Sequence, residues 1–217
     1  HYKSLNIRKV DKNESIYKII YVGRIGVANK RSIILFAQTL ASYTFKGWEI
    51  KLDIFTKDLE EPFLKEIRRM RNVAIYPAVP HNQVPNLLAG YDLLLLPLDF
   101  TRDGIRFAKY SLPTKATEYM LTGRPIVVFA PKETAVSQFF KENDCGYCLD
   151  SNSPDAICKA LDFLFSNEKY CDNIRNKAIK IAEERFDADR VRLRFRKTMA
   201  GIVNQDDPVW PIIKAND

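Results

Sequence analysis

The chain has 217 residues, 46% of them apolar, and a formal net charge of +7. That apolar share supports a sizeable core and argues against global disorder. No run of eighteen apolar residues occurs, so the sequence predicts no segment that spans a membrane. The cysteines include one C-x-x-C spacing without a second pair or clustered histidines, which favours small buried or half-buried residues in a reducing compartment over a zinc or redox site. These cysteines are Cys145, Cys148, Cys158 and Cys171.

Positive charge is concentrated late in the chain, where residues 168–197 hold ten Lys/Arg and six Asp/Glu, a net +4. No helix-turn-helix, zinc finger or RNP-like aromatic motif accompanies this charge. The leading interpretation is therefore a solvated helical face, with a peripheral membrane contact second; a nucleic-acid binder is a distant fourth among the functions considered. We expect no nucleic-acid partner.

Strands and helices alternate along the chain after residues 1–16, which are charged, unpatterned and read as a leading segment or linker. Strands are predicted at residues 17–22, 48–56, 72–79, 92–97, 126–129 and 146–149. Helices are predicted at residues 30–45, 60–71, 80–88, 112–122, 134–141, 154–165, 169–184 and 187–203, and residues 99–109 read as a polar loop. The last helix carries Val191, Phe195, Met199 and Ile202 down one side.

This alternation predicts an α/β fold, a doubly wound, six-stranded, Rossmann-like parallel sheet with strand order 3-2-1-4-5-6. Residues 17–167 would form that domain, residues 168–203 would add helices packing on it, and residues 204–217 would be an irregular tail. Such sheets bind ligands at the carboxyl ends of their strands where the strand order reverses. That crevice would lie between the turn at Gly23-Arg24 and the loop after Pro97.

Residues 110–131 form the stretch around which the chain is organised. Ser111 is the predicted cap of a helix whose first turn holds Pro113, and Gly123 is its predicted end. The apolar run that follows, residues 126–129, predicts a strand buried on both faces. The helix would bury one face, formed by Leu112, Ala116, Tyr119 and Met120.

Three cations, Arg24, Lys30 and Arg31, cluster around the first strand-to-helix turn, and the helix start at Asn29 would add free N–H groups. The turn matches neither G-x-G-x-x-G nor a Walker loop, which disfavours a dehydrogenase or a kinase. Phosphate binding and ordinary surface charge both remain open from these residues alone.

Glu118 lies on the other face of the helix from its apolar side, beside Lys115. It is either the helix partner of Lys115 or a carboxylate that accepts ribose hydroxyls. His81, after Pro80 at a helix start, is more typical of a capping or packing residue than of a base. No Ser-His-Asp set and no metal-binding carboxylate pair is predicted.

Three segments together resemble a known family: GRIGVANK after the first strand, VPHNQVPNLLAGYDLLLLP, and SLPTKATEYMLTGRPIVV. In order and spacing they are similar to the carboxyl-terminal domain of GT-B glycosyltransferases, in particular retaining family 4, over residues 17–167. The resemblance implies that Arg24 and Lys30 hold the donor diphosphate and support catalysis, and that Glu118 binds the ribose hydroxyls. It implies further donor contacts from Gly23, Pro80, His81, Leu112, Pro113 and Thr114.

The chain departs from that family's pattern at Tyr110, which stands eight residues before Glu118 where the family has a glutamate. Thr56-Lys57-Asp58 also replaces a glycine-rich turn after the second strand. Both departures predict a divergent subgroup, with Tyr110 near the transferred sugar.

The resemblance implies the donor-binding half of a transferase that moves sugar from a nucleotide-sugar to a glycan or lipid-linked acceptor, in surface polysaccharide synthesis. We expect a fragment of a longer protein, inactive without its amino-terminal acceptor domain, that needs no cofactor or metal. It would be cytoplasmic, with the inner membrane face as a further expected location. Alternatives are a non-catalytic nucleotide-sugar-binding module and half of a sugar-nucleotide epimerase.

Overall fold

The computed structural model describes residues 15–204, with side chains as far as residue 200. Its six strands form one parallel sheet in the order β3-β2-β1-β4-β5-β6, which confirms the predicted fold class and strand order. The strands are β1 (Ile16–Val22), β2 (Glu49–Thr56), β3 (Val73–Pro77), β4 (Leu93–Pro97), β5 (Ile126–Phe129) and β6 (Tyr147–Leu149).

Helices cover both faces of the sheet, as the alternation of elements predicts. A 3-10 turn at His81–Gln83 precedes α3. The helices are α1 (Lys30–Ala41), α2 (Leu64–Ile67), α3 (Val84–Ala89), α4 (Arg102–Ala108), α5 (Thr114–Leu121), α6 (Ala135–Glu142), α7 (Pro154–Ser166), α8 (Glu168–Arg185) and α9 (Ala188–Asn204).

The core consists of two apolar layers, one on each side of the sheet. Alternate strand residues point to opposite sides, so Ile19 packs with α1 and α7, while Ile20 packs with α3, α5, α6 and α8. Strands β4 and β5 are buried along their whole length, as their unbroken apolar sequence predicts. Because helices cover both faces of the sheet, the carboxyl ends of the strands are accessible only at its edge.

Two predicted elements are wrong. Residues 60–71 form only the single turn α2, preceded by turns around Pro62, because proline is tolerated at a helix start and not inside one. The predicted polar loop at residues 99–109 contains α4 instead. Thr101 caps this helix, since its hydroxyl accepts from the Gly104 N–H.

Several helix boundaries also differ from the prediction. The first helix ends at Ala41 and not at residue 45, because residues 45–48 form a tight turn. Residues 80–88 divide into the 3-10 turn and α3, whose first turn holds Pro85. Ser111 does not cap α5, which begins at Thr114 with Pro113 in the capping position.

The two last helices differ in their packing. Helix α8 packs on α5 and buries Ile174, Ala178 and Ala182. In α9 every described side chain except the half-buried Thr198 is exposed, including the predicted apolar side residues Val191, Phe195 and Met199. Predictions for residues 1–14, for the side chain of Ile202 and for residues 205–217 lie outside the described part.

All four cysteines are free thiols, Cys145 buried and the others half-buried, which confirms their predicted character. Burial raises the pKa of the Cys145 thiol to about 12, which disfavours the reactive thiolate of a redox site at this C-x-x-C pair. Within residues 15–204, no helix combines the length and the apolar character that crossing a membrane requires.

Candidate functional site

The strand order reverses between β1 and β4, which pair directly through Ile19–Leu93 and Ile20–Leu94. The chain leaves β1 through Gly23, whose φ of +146° belongs to a region that glycine adopts without strain. The Gly23 N–H donates to the Phe55 carbonyl of β2 at 2.9 Å. The turn at Gly23-Arg24 therefore stands at the topological switch point, where doubly wound sheets bind ligands.

The Tyr21 hydroxyl holds this turn in place. It donates to the Arg24 carbonyl at 2.5 Å and accepts from Asn29 Nδ2 at 2.7 Å and from Lys115 Nζ at 2.9 Å. Asn29 also bonds the Gly26 N–H and the Arg24 carbonyl. Asn29 thus organises the turn, and its side chain makes no capping hydrogen bond to α1.

The start of α1 is not the free anion site that the sequence predicts. Asp99, 3% exposed, accepts from the Ser32 N–H at 2.8 Å and from the Arg31 N–H at 3.2 Å. A carboxylate from the loop after β4 thus occupies the positive end of the helix dipole. By contrast, α5 begins at the same crevice with no side-chain capping bond.

Arg24 and Lys30, the two predicted diphosphate-binding cations, both contact residues that follow β2. Arg24 is 86% exposed and pairs with Asp58 at 3.3 Å, and Lys30 Nζ lies 4.5 Å from the centroid of the Phe63 ring. The pKa of Asp58 is lowered, first by the hydrogen bond from the Ile25 N–H and then by Arg24. Both cations thus border the turn, and Arg24 remains largely open to solvent.

Glu118 and His81 contact each other, although they are 37 residues apart in sequence. His81 Nδ1 lies 3.6 Å from Glu118 Oε1, and the Glu118 side chain is 28% exposed. The 3-10 turn that holds His81 follows Pro80, so this loop reaches over the helix that carries Glu118. No contact among the described residues joins Glu118 to Arg24 or Lys30.

Helix α5 links Glu118 to the cationic turn through two other side chains. Lys115, one turn before Glu118, donates to the Tyr21 hydroxyl. Tyr119, the residue after Glu118, accepts a hydrogen bond from the Val22 N–H at 3.0 Å. A Cβ placed on Gly23 would collide with Lys115 Nζ. The helix and the turn are therefore in direct contact, with the glycine leaving room for the ammonium.

The remaining predicted contact residues surround the start of α5. Leu112 and Pro113 are half-buried, and Thr114, the first residue of the helix, is exposed. Tyr110 is 87% exposed, with Lys109 Nζ 5.3 Å from its ring centroid. The Tyr110 side chain forms no hydrogen bond or ion pair with any of residues 15–200.

Sequence reasoning missed the roles of Tyr21, Asp99 and Lys115. No sequence motif marks Tyr21 or Asp99, because the groups they bind are distant in sequence or belong to the backbone. Lys115 offered one signal: it precedes Glu118 by three residues, so both side chains lie on one face of a helix. Within the described part of the chain, no group of three or more His, Cys, Asp or Glu residues is placed to hold a metal ion.

Two cations border the turn, and the half-buried Lys115 and Glu118 lie on the adjoining helix α5. Together they stand at the switch point, the place where doubly wound sheets bind ligands. Residues 16–167 match the family model described as glycosyl transferases group 1. The chain belongs to that family. No curated protein matches it in sequence.

Solved structures share the fold at low sequence identity. The Anabaena HepE protein, solved with UDP and glucose, has a TM-score of 0.67 and 15% identity over 86% of this chain and 49% of its own. A Rickettsia africae glycosyltransferase has a TM-score of 0.66 and 11% identity over 88% of this chain and 49% of its own. The chain thus spans about half the length of these proteins.

A third similar structure contains a single domain of a longer protein. It is the carboxyl-terminal domain of a group 1 family glycosyltransferase, LpcC, from Francisella tularensis. Its TM-score is 0.59 at 16% identity, over 79% of this chain and 87% of that one. This chain therefore resembles the carboxyl-terminal half of such proteins, as the sequence motifs imply.

Proposed function

We propose that the chain is the donor-binding half of a glycosyltransferase that moves sugar from a nucleotide-sugar to a glycan or lipid-linked acceptor. The contact of Lys115 with Tyr21 and Gly23 carries this proposal, because it brings the cationic turn and the Glu118 helix together at the switch point. Membership of the group 1 family and the UDP bound by the Anabaena protein support the choice of ligand.

In this proposal Arg24 and Lys30 bind the diphosphate and stabilise the charge that develops on it as the sugar departs. Glu118 accepts hydrogen bonds from the two ribose hydroxyls, and these bonds replace its contact with His81. The nucleobase lies against the loop at Pro80-His81. Leu112 and Thr114, on either side of Pro113, offer backbone N–H groups at the uncapped start of α5. Fixed cations take the role of a metal, so EDTA is expected to leave affinity unchanged.

The acceptor would bind to an amino-terminal half that adjoins this one, in a surface polysaccharide pathway at the cytoplasmic side of a membrane. The unpaired thiols support a reducing compartment. Helix α9 supports a peripheral contact with anionic lipid, because its exposed surface combines apolar Val191 and Phe195 with five cations. These cations are Arg190, Arg192, Arg194, Arg196 and Lys197.

Calorimetry with UDP and GDP tests donor binding, and modified ligands assign the contacts. Wild-type chain is expected to bind UDP more tightly than UMP and more tightly than 2′-deoxy-UDP, each by about tenfold. Arg24→Ala is expected to reduce the preference for the diphosphate, because one of the cations that bind it is gone. Glu118→Ala is expected to remove only the preference for the 2′-hydroxyl.

Two exposed residues away from the crevice supply matched controls. Arg190→Ala on α9 and Glu142→Ala at the end of α6 remove the same kinds of charge and are expected to leave both preferences intact. If folded wild-type chain binds neither UDP nor GDP, the proposed function is wrong. If Glu118→Ala keeps the preference for the 2′-hydroxyl, the assigned role of that carboxylate is wrong.

One observation favours a second candidate, a non-catalytic nucleotide-sugar-binding module. Tyr110, at the position where the resembling family has a glutamate, is almost fully exposed and makes no polar contact through its side chain within residues 15–200. Such a module would bind nucleotide in the same crevice without transfer. Release of UDP from UDP-sugar by the longer protein, in the presence of acceptor extracts, would exclude it.

A further inference from the structure

Lys115 is a third cation at the turn that Arg24 and Lys30 border. It lies in the first turn of α5, half-buried, with Nζ 2.9 Å from the Tyr21 hydroxyl and 4.3 Å from the centroid of the Tyr21 ring. Its ammonium also fills the space that a Cβ on Gly23 would take. The charge therefore touches the turn at the switch point, whereas the guanidinium of Arg24 is largely exposed.

The protein surrounds this ammonium with fewer acceptors than it has donors. An ammonium carries three N–H groups, and the Tyr21 hydroxyl is the single hydrogen-bond acceptor that the described residues give it. Burial lowers the pKa of Lys115 to about 8, and Glu118 only partly opposes that shift. Glu118 itself lies against His81.

Tyr21 does not need Lys115 to satisfy its own hydroxyl. That hydroxyl still donates to the Arg24 carbonyl and accepts from Asn29 when the lysine is removed. The lysine is thus not required to complete the network that holds the turn. A buried, under-coordinated charge lowers stability, and it is explained when an anion completes its coordination.

We propose that Lys115 is a third donor-binding cation, whose two remaining N–H groups bind pyrophosphate oxygens of a nucleoside diphosphate beside the Gly23-Arg24 turn. This inference rests on the proposed function and adds a residue and a charge to it. The bound anion favours the protonated amine, because an opposite charge within a few ångströms raises the pKa of an ammonium. Above pH 8 the free protein has mostly lost that proton, so binding of the diphosphate takes up a proton.

Titration of the full 217-residue chain with UDP, in two buffers of different ionisation enthalpy, tests this inference. At pH 8.5 wild type is expected to take up part of a proton on binding UDP. At pH 6.5, where the terminal phosphate of UDP itself titrates, wild type and Lys115→Met are expected to exchange protons equally. Lys115→Met is expected to lower UDP affinity about tenfold or more and to abolish the uptake at pH 8.5. Uridine, which has no phosphate, is expected to bind both proteins equally and without proton uptake.

Lys159→Met, on the exposed surface of α7, is the matched control and is expected to bind UDP like wild type. The melting temperature of Lys115→Met at pH 6.5 is expected to equal or exceed that of wild type, since a poorly compensated charge has been removed. A purely structural lysine would give a lower melting temperature and no proton uptake in wild type, and either result overturns the inference. Unchanged UDP affinity in Lys115→Met also overturns it, while leaving the proposed function intact.

Discussion

Tyrosine hydroxyls connect α5 to the end of β1. Tyr119 is fully buried, and its hydroxyl accepts from the Val22 N–H at the point where the strand gives way to the Gly23 turn. Tyr21 binds the other side of that turn through the Arg24 carbonyl. The bond between Val22 and Tyr119 joins residues 97 positions apart, and the proposed site depends on the geometry of both bonds.

Tyr119→Phe is expected to lower the free energy of unfolding by about 1 to 2 kcal/mol, because the Val22 N–H would be left buried and unpaired. Urea unfolding followed by circular dichroism measures the loss. Tyr110→Phe is the matched control, and no change is expected because that side chain is 87% exposed. Equal stability of the two variants would mean that the Val22 bond contributes nothing.

At the scale of elements, α4 depends on one residue that the sequence interpretation overlooked. Thr101 accepts the Gly104 N–H at the start of the helix, and Thr101→Ala is expected to weaken α4 locally by about 1 kcal/mol. Amide hydrogen exchange would report this as roughly fivefold faster exchange at Ile105 and Lys109, whose N–H groups bond within the helix.

Thr44→Ala supplies the control for this experiment, because Thr44 is exposed and lies outside every helix. Exchange in α4 is expected to be unaffected by that change. If Thr101→Ala leaves the α4 amides as protected as in wild type, packing and not the cap holds the helix.

The elements with strong local patterns were predictable from the sequence. Strands β4 and β5 are unbroken apolar runs, and α7 has Ser153 as its cap, so each was placed within a residue or two. Helix α4 was missed because it is short, has a glycine in its first turn and begins at a cap that was not recognised. Residues 60–71 are rich in Glu, Lys and Arg, which favour a helix, but Pro62 and the turns around it limit the helix to α2.

The candidate site was only partly predictable, for a different reason. The position of the crevice follows from strand order, and Arg24 and Glu118 stand out as charged residues near it. The roles of Asp99 and Lys115 arise from contacts with backbone and side chains 67 and 94 residues away. No local pattern encodes such contacts, so only the structure reveals that Asp99 occupies the start of α1 and that Lys115 is half-buried.

At the scale of the whole molecule, buried tyrosines are expected to lower stability at alkaline pH. Burial raises the pKa of Tyr21 and of Tyr119 above the ordinary 10.0 of the unfolded chain. Below pH 10 both states keep the phenol protons; above it the unfolded state loses them first, so stability falls as pH rises. Each such proton changes the slope by about 1.4 kcal/mol per pH unit.

Lys115 acts in the opposite direction over a lower range. Its folded pKa of about 8 lies below the ordinary 10.5, so the unfolded state binds more protons between these values and stability rises with pH. Urea midpoints from pH 7 to 11 are expected to rise gently from pH 8 and then fall above pH 10. Lys115→Met should lack the rise, and Tyr119→Phe should show a shallower fall; a profile that falls steadily from pH 8 in wild type contradicts this assignment.

Helix α9 is the part of the molecule whose contribution to stability is expected to be smallest. Phe195 on this helix is 64% exposed, whereas Phe140 on α6 is fully buried. Phe195→Ala is expected to change the free energy of unfolding by less than about 0.5 kcal/mol, and Phe140→Ala to lower it by about 3 to 5 kcal/mol. Urea unfolding of both variants of the 217-residue chain makes this comparison with one residue type.

The same pair of substitutions bears on the proposed partners of α9. A large loss of stability from Phe195→Ala in this chain would show that the helix packs on the chain itself, which contradicts an exposed apolar side. With stability unchanged, Phe195→Ala becomes a clean variant for sedimentation with anionic vesicles. Weaker sedimentation than wild type would support a lipid contact at this helix, and equal sedimentation would remove the support that its apolar residues give to that proposal.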